Sequence, residues 1–195
     1  MNVQNSSNNE LLSALVGKGN AKKLIAVPLS ILFGVRARRQ EVCEDPAQYS
    51  IISVAKELVT RAMAEEIQTN SISLSSPQTV KDYIRLVLGG REQEVFMVLF
   101  LDAQNKLIAS EEMFHGTLTQ TSVYPREVLK RALAHNANSV ILAHNHPSGL
   151  AEPSRSDETL TNALKDALSH IDVRILDHII IGDQTTTSFA ERGLV

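Results

Sequence analysis

The segment that most constrains the fold is a short apolar run that ends in a pair of histidines. The run, Ser139-Val-Ile-Leu-Ala143, has no polar alternation, which is typical of a strand covered on both faces. It leads directly into His144-Asn-His-Pro-Ser-Gly149. Because side chains alternate along a strand, both imidazoles point to one face and Asn145 points to the other. The chain therefore has to place two histidines together at the end of a buried strand.

Further strands are predicted on both sides of this run. The apolar segment Glu94–Leu101 ends at Asp102-Ala-Gln-Asn105, which has the composition of a turn, and Lys106–Phe114 continues as an extended segment. These segments predict a hairpin. Val173–Ile181 is another apolar run of the buried-strand type. Together with the run before His144, they supply the strands of one sheet.

Two helices are predicted between these strands. Pro125 suits the first position of a helix, which ends at Asn136-Ala-Asn138. Its predicted buried stripe consists of Val128, Leu129, Ala132 and Leu133. The apolar face of the second helix consists of Leu160, Ala163, Leu164, Ala167, Leu168 and Ile171. The order β-β-α-β-α-β predicts an α/β fold with a mixed β-sheet flanked by helices.

The N-terminal part has a different pattern. Asn9–Leu15 and Ser53–Ile67 both have helical apolar spacing. In the second segment the apolar face consists of Val54, Leu58, Val59, Ala62 and Met63. A polar, serine-rich stretch, Thr69 to Ser76, follows and is closed by Pro77. We therefore predict a small all-helical region over residues 1–70 and an α/β domain over residues 71–195.

Composition excludes several classes of protein. The longest apolar stretch, Leu24 to Val35, is interrupted by Pro28 and Gly34, and it is shorter than the run of about 20 residues that a membrane-spanning helix needs. The segment MNVQNSSNNE lacks the pattern of a secretory signal. We therefore expect no membrane segment and a cytoplasmic location. Cys43 is the only cysteine, so a metal site must use histidine and carboxylate ligands.

A carboxylate follows the two histidines at a spacing that suits metal binding. A rigid turn comes next, and Pro153-Ser-Arg-Ser-Asp157 begins the following helix, which returns a carboxylate to the strand end. Two imidazoles and one carboxylate suit zinc and leave a fourth tetrahedral position for water. Ser154-x-x-Asp157 is also a common helix N-cap pattern that needs no metal. The combination favours one catalytic zinc ion on His144, His146 and Asp157.

Other catalytic motifs are absent from the sequence. A nucleobase deaminase needs a P-C-x-x-C segment, which one cysteine cannot supply. The chain has no H-E-x-x-H segment, no Walker loop and no complete G-x-G-x-x-G. These absences leave the histidine and aspartate set as the motif that carries chemistry.

The same residues resemble a known family. His144-x-His146, seven residues, Ser154, two residues and Asp157 match the motif of the JAMM (MPN-type) metallohydrolases. The surrounding sequence, including Leu176-Asp-His-Ile-Ile-Ile-Gly182, resembles the bacterial RadC family from about Ser75 to Val195. The resemblance implies a JAMM/MPN, cytidine-deaminase-like fold, one zinc ion and a metallopeptidase-like or isopeptidase-like active site.

The resemblance also implies roles for two further residues. In JAMM enzymes a glutamate from an earlier strand is the general acid/base, and the motif serine helps to hold the oxyanion. The matching residues in this chain are Glu94 and Ser154. Glu111 and Glu112 also flank the predicted sheet and remain alternatives to Glu94.

The other histidines are predicted to have structural roles. His135 and His170 lie near predicted helix C-termini, where an imidazole complements the helix dipole. His115 and His178 lie in segments that resemble RadC proteins. We expect each of them to pack in the core or beside a ligand rather than to bind the metal.

Positive charge is concentrated in the N-terminal region. Residues 17–40 contain no acid, and their basic residues are Lys18, Lys22, Lys23, Arg36, Arg38 and Arg39. Val16-Gly-Lys-Gly-Asn-Ala-Lys-Lys23 resembles half of a helix-hairpin-helix, which binds DNA phosphates through backbone amides. Pro28 departs from that pattern. DNA binding by residues 17–40 and an ordinary basic helical turn are both compatible with the segment.

The sequence is compatible with three functions. The first is zinc-dependent hydrolysis of an amide or isopeptide bond in an unknown peptide or protein substrate. The second is a DNA-repair or mobile-element accessory protein that binds DNA, and the third is a metal-dependent nuclease. Motifs do not encode the loops that choose a substrate, so the sequence identifies neither the substrate nor the oligomeric state.

Overall fold

A five-stranded sheet forms the centre of the fold. The computed structural model describes residues 6–33, 46–69, 77–116 and 122–195. The strands are β1 (Val95–Leu101), β2 (Leu107–His115), β3 (Ser139–Asn145), β4 (Arg174–Ile181) and β5 (Thr186–Ser188). They lie in the order β2-β1-β3-β4-β5. The predicted α/β fold with a mixed sheet is confirmed, and β5 is an additional edge strand that the sequence analysis does not predict.

The direction of each strand follows from its connections. β1 pairs antiparallel with both β2 and β3, and β4 pairs antiparallel with β5. β3 and β4 run parallel, which requires a crossover of about a dozen residues or more. The 15-residue helix α7 (Arg155–Ser169) supplies this crossover.

Helices cover both faces of the sheet. α6 (Pro125–Ala134) and α7 pack on one face, where the buried residues include Phe96, Val98, Phe100, Leu142, Val128 and Leu164. α5 (Pro77–Leu88) and the C-terminal part of α4 (Pro46–Thr69) pack on the other face, with Met97, Leu99, Ile141, Ile67 and Ile84. Consecutive residues of β1 therefore alternate between two apolar layers, as expected for a strand buried on both faces.

Parts of the predicted helix faces are wrong. Leu133 is 57% exposed, although it is predicted to belong to the buried stripe of α6, and Ala163 of the predicted apolar face of α7 is also exposed. Leu133 follows Val128 by five positions, which is about 140° around a helix, so it faces away from the sheet. The buried face of α7 instead includes Thr161, which is 1% exposed.

The described N-terminal residues are largely helical. α1 (Asn8–Val16), α2 (Lys18–Leu24) and α3 (Leu29–Leu32) pack with α4 around Leu12, Val16, Ala21, Leu24 and Ile52. On the predicted apolar face of α4, Val54 and Leu58 are 56% and 62% exposed, whereas Met63 packs against the sheet cluster. Only the C-terminal end of this face therefore contributes to the main core.

Some predictions concern residues outside the described ranges. The predicted domain boundary lies within residues 70–76, which are outside the described residues. The division into 1–70 and 71–195 therefore stays a prediction. Arg36, Arg38 and Arg39 of the predicted DNA segment also lie outside the described residues.

Among the helices of the described residues, none combines the length and the hydropathy that a membrane span requires.

The core position of β3 can be tested by shortening one of its side chains. Leu142 is fully buried, and Leu142→Ala is expected to lower the free energy of unfolding by about 2–5 kcal/mol because it leaves a cavity. Leu133→Ala is the matched control, since Leu133 is exposed, and its effect should stay within about 0.5 kcal/mol. Urea denaturation followed by circular dichroism measures both values. Equal losses in the two variants would contradict this placement of β3.

Candidate metal centre

Two histidines lie at the C-terminal end of β3. His144 belongs to the strand, pairs with Phe96 of β1 and Ile180 of β4, and is 1% exposed. His146 follows the strand, and its amide donates to the carbonyl of Ile181 at 2.9 Å. The side chain of His146 is 17% exposed. One imidazole is therefore enclosed by the sheet and the other partly faces solvent.

Helix α7 begins beside these histidines and holds a carboxylate there. Ser154 is its N-cap: the amide of Asp157 donates to Ser154 Oγ at 3.2 Å, and the amide of Ser154 donates to Asp157 Oδ2 at 2.7 Å. This reciprocal cap fixes the Asp157 side chain. The N-cap and metal-ligand interpretations of the Ser154-x-x-Asp157 pattern are therefore compatible.

The ligand atoms of the three side chains converge on one point. His144 Nε2 lies 3.4 Å from Asp157 Oδ1, His146 Nε2 lies 3.5 Å from Asp157 Oδ2, and the two Nε2 atoms are 2.9 Å apart. A tetrahedral zinc ion with bonds of about 2.0–2.1 Å spaces its ligand atoms about 3.3 Å apart. The group could therefore hold a metal ion without large rearrangement.

In its neutral form the His146 ring has its lone pair on Nε2, the predicted ligand atom. Its Nδ1 lies 2.8 Å from the carbonyl oxygen of Leu150, and because a carbonyl only accepts, Nδ1–H is the donor. In the neutral ring Nε2 then carries a lone pair directed at His144 and Asp157. Lone pairs at this distance repel unless a proton or a metal ion lies between them. The donor set therefore fits a divalent cation.

Burial and nearby charges set the protonation of these side chains. Burial lowers the pKa of His144 to about 4, which favours the neutral, metal-binding form of the ring. Burial opposes ionisation of Asp157, but its hydrogen bond with His146, the charge at His144 and the bonds from Ser154 hold its pKa well below the usual range. The hydrogen bond to Asp157 raises the pKa of His146 against the effect of burial, and the charge of Glu94 adds to this increase.

Glu94 lies directly before β1 on the histidine side of the sheet. Phe96 pairs with His144, and a residue two positions before Phe96 shares its face when the backbone is extended. Glu94 is partly buried, and its charge raises the pKa of His146. The structure therefore places Glu94 on the same face as the predicted ligands.

Asn145 fixes the backbone that carries Glu94. Its side chain is 4% exposed. Its Oδ1 accepts from the amide of Val95 at 2.8 Å, and its Nδ2 donates to the carbonyl of Gln93 at 3.0 Å. These groups belong to the residues on either side of Glu94. Alternation along β3 predicts the direction of the Asn145 side chain but not this role, because the partner segment is distant in sequence.

The alternative glutamates are engaged in ion pairs on β2. Glu111 contacts Arg131 and lies 2.7 Å from His135 Nε2. The hydrogen bond from Arg131, together with that from His135, lowers the pKa of Glu111 to about 2. Glu112 contacts Arg91. Because β1 separates β2 from β3, neither Glu111 nor Glu112 lies on a strand that pairs with β3.

The remaining histidines have different environments. His135 and His170 are the C-cap residues of α6 and α7, where the sequence analysis places them. His115 ends β2 and is exposed rather than packed in the core. His178 of β4 is fully buried, and its Nε2 lies 2.8 Å from Nδ1 of His144. It therefore contacts a predicted ligand through the side of the ring that faces away from the metal position.

Two glycines let the loop after His146 lie against the end of β4. Gly149 has φ +83°, and a Cβ there would lie 2.9 Å from the carboxyl carbon of Asp183. A Cβ at Gly182 would lie 2.5 Å from the carbonyl oxygen of Gly149 and 2.8 Å from the amide nitrogen of Ala151. The loop that supplies the Leu150 acceptor therefore approaches the sheet more closely than a side chain permits.

Comparison with protein families identifies the domain. A family model described as a RadC-like JAB domain matches residues 74–194. The chain belongs to this family. The RadC resemblance of the sequence motifs is therefore confirmed.

Several curated RadC-family relatives are more than half identical to the chain over most of its length. A UPF0758 protein of Janthinobacterium sp. (strain Marseille) is 60% identical over 148 residues, which cover 76% of this chain and 66% of the relative. The corresponding protein of Leptothrix cholodnii is 60% identical over 77% of this chain and 67% of the relative. The corresponding protein of Thiobacillus denitrificans is 53% identical over 81% of this chain and 72% of the relative. The chain thus spans about two thirds of the length of these relatives, whose names state no activity.

The role of Asn145 in this RadC-family chain can be tested through stability. Asn145→Leu is expected to lower the free energy of unfolding by about 1–3 kcal/mol, because the buried amide of Val95 loses its acceptor. Asn162→Leu on the exposed side of α7 is the matched control, with an expected change within about 0.5 kcal/mol. Urea denaturation gives both values. A loss at position 145 no larger than that at position 162 would show that these hydrogen bonds add no stability.

Proposed function

We propose that this chain is a zinc-dependent hydrolase of the JAMM metallopeptidase type, which cleaves an amide or isopeptide bond with water. The observation that carries the proposal is the convergence of His144 Nε2, His146 Nε2 and the Asp157 carboxylate within 3.5 Å of one another. Membership of the RadC-like JAB family supports metal-dependent hydrolysis. The choice of zinc and of the bond cleaved goes beyond that family-level statement.

The donor set favours zinc over harder cations. Two imidazole nitrogens and one carboxylate oxygen suit zinc, whereas magnesium and calcium prefer sites made of oxygen atoms. When bound, zinc would act as a Lewis acid that lowers the pKa of its water ligand to about 7 and polarises a carbonyl group.

The side chains around the ligands have separate tasks in this proposal. The carboxylate of Glu94 accepts a proton from water and returns it to the leaving amine. The hydroxyl of Ser154 accepts a hydrogen bond in the cap of α7, so its own proton remains available to the carbonyl oxygen under attack. Asn145 holds the backbone on both sides of Glu94.

Metal content tests the ligand assignment. The purified chain is expected to hold about one equivalent of zinc or a similar divalent ion, measured by mass spectrometry of the metals after gel filtration. His146→Ala removes one of three ligands and is expected to lose this ion. His170→Ala is the matched control, since His170 caps the far end of α7, and it should retain the ion. Full retention of metal in His146→Ala would refute the assignment.

A conservative substitution tests the general base. Glu94→Gln is expected to bind zinc normally but to lower kcat/KM by about 10²- to 10⁴-fold, because an amide cannot take the proton. A peptide library analysed by mass spectrometry supplies the substrate for this measurement. Glu112→Gln is the matched control and should keep its activity. If Glu94→Gln retains metal and loses no hydrolysis, the role belongs to another residue.

The same preparations separate the alternative functions. Cutting of DNA strands that is lost in His146→Ala would indicate a metal-dependent nuclease instead of a peptidase. DNA binding that weakens steeply with added salt, without turnover, would indicate the accessory role predicted for residues 17–40. Lys18, Lys22 and Lys23 lie in α2, and contact of this helix with DNA stays a prediction.

A further inference from the structure

A line of buried hydrogen bonds leads from His144 to helix α7. His144 Nδ1 lies 2.8 Å from His178 Nε2, and His178 Nδ1 lies 2.7 Å from Thr161 Oγ1. The Thr161 hydroxyl donates to the carbonyl oxygen of Asp157 at 2.6 Å. His178 and Thr161 are 0% and 1% exposed. The line therefore begins at one predicted metal ligand and ends at the backbone of another.

The proton positions follow from the far end of this line. The Asp157 carbonyl only accepts, so the Thr161 hydroxyl donates its single proton there. The Thr161 oxygen must then accept from His178, which places the proton of that ring on Nδ1. In the neutral ring His178 Nε2 carries no proton, so it accepts from Nδ1–H of His144. The Nε2 atom of His144 is left with its lone pair towards Asp157 and His146.

We propose that Thr161 and His178 are positioning residues that hold His144 in the tautomer required for metal binding. This inference rests on the metal site proposed above. Metal-binding histidines generally donate their other N–H to a fixed acceptor, and loss of such a partner costs about 10- to 100-fold in metal affinity. The acceptor of His144 is itself an imidazole, which can carry its proton on either nitrogen. Thr161 therefore determines the orientation of the line, that is, which nitrogen donates and which accepts in each of its hydrogen bonds.

Thr161→Val reverses this orientation without changing the shape of the side chain. Because valine cannot accept, a proton on His178 Nδ1 would be buried without a partner, so it moves to Nε2. His144 must then accept at Nδ1 and carry its own proton on Nε2, where the metal has to bind. We expect the zinc affinity of the full chain, measured by competition with a chromophoric chelator, to fall about 10- to 100-fold. Thr161→Ser keeps the hydroxyl and should bind within about threefold of the unmodified chain.

A matched control lies on the same helix. The hydroxyl of Thr159 donates to the carbonyl of Arg155 at 2.8 Å, the same type of bond that Thr161 makes to Asp157. Thr159 is exposed on α7, so Thr159→Val removes such a bond away from His178. It is expected to bind zinc as the unmodified chain does. Equal zinc affinities in Thr161→Val and Thr159→Val would overturn the inference.

Histidine tautomers can also be observed directly in protein freed of metal with a chelator. Long-range proton–nitrogen correlation spectra at alkaline pH should show the proton on Nδ1 for both His144 and His178, and on Nε2 for His144 in Thr161→Val. A proton on Nε2 of His144 in the unmodified chain would overturn the inference, even if Thr161→Val failed to fold. If the unmodified chain bound no zinc, the proposed function would fail, whereas these spectra would still decide the tautomer.

Discussion

Pairing of β3 on both of its edges is the interaction on which the candidate site depends. The register with β1 places Phe96 opposite His144, and the register with β4 places His178 opposite Leu142. A shift of one residue in either pairing would turn every side chain of the shifted strand to the opposite face. The two registers together therefore bring the predicted histidine ligands, Glu94 and His178 to one side of the sheet. The apolar layers on both faces oppose such a shift.

Local patterns are sufficient to predict the central strands and the ligand group. The apolar run of β3 and the spacing of His144 and His146 need no information about other segments, because a period of two places both imidazoles on one face. Asp157 can be added because Ser154 marks the start of its helix. These inferences depend on residues within about one turn or one strand of each other, so the sequence alone carries them.

Contacts between distant segments cannot be predicted in the same way. Asn145 has an obvious direction, but its partners lie 50 and 52 residues earlier in the chain. Thr161 interrupts an apolar helix face because its hydroxyl bonds to His178, a contact across 17 residues. β5 has only three residues, too few to show alternation. The predicted stripe of α6 includes Leu133 because one-dimensional spacing does not define how wide the contact with the sheet is.

The close approach at Gly182 has a consequence for how this geometry responds to sequence change. Gly182 supplies no functional group, yet a methyl group there would press on the backbone on both sides of Leu150, whose carbonyl orients the His146 ring. Enlarging this residue would redirect an imidazole by steric displacement, with every predicted ligand atom chemically unchanged. The geometry of the candidate centre is therefore constrained at a position where the decisive property is the absence of a side chain.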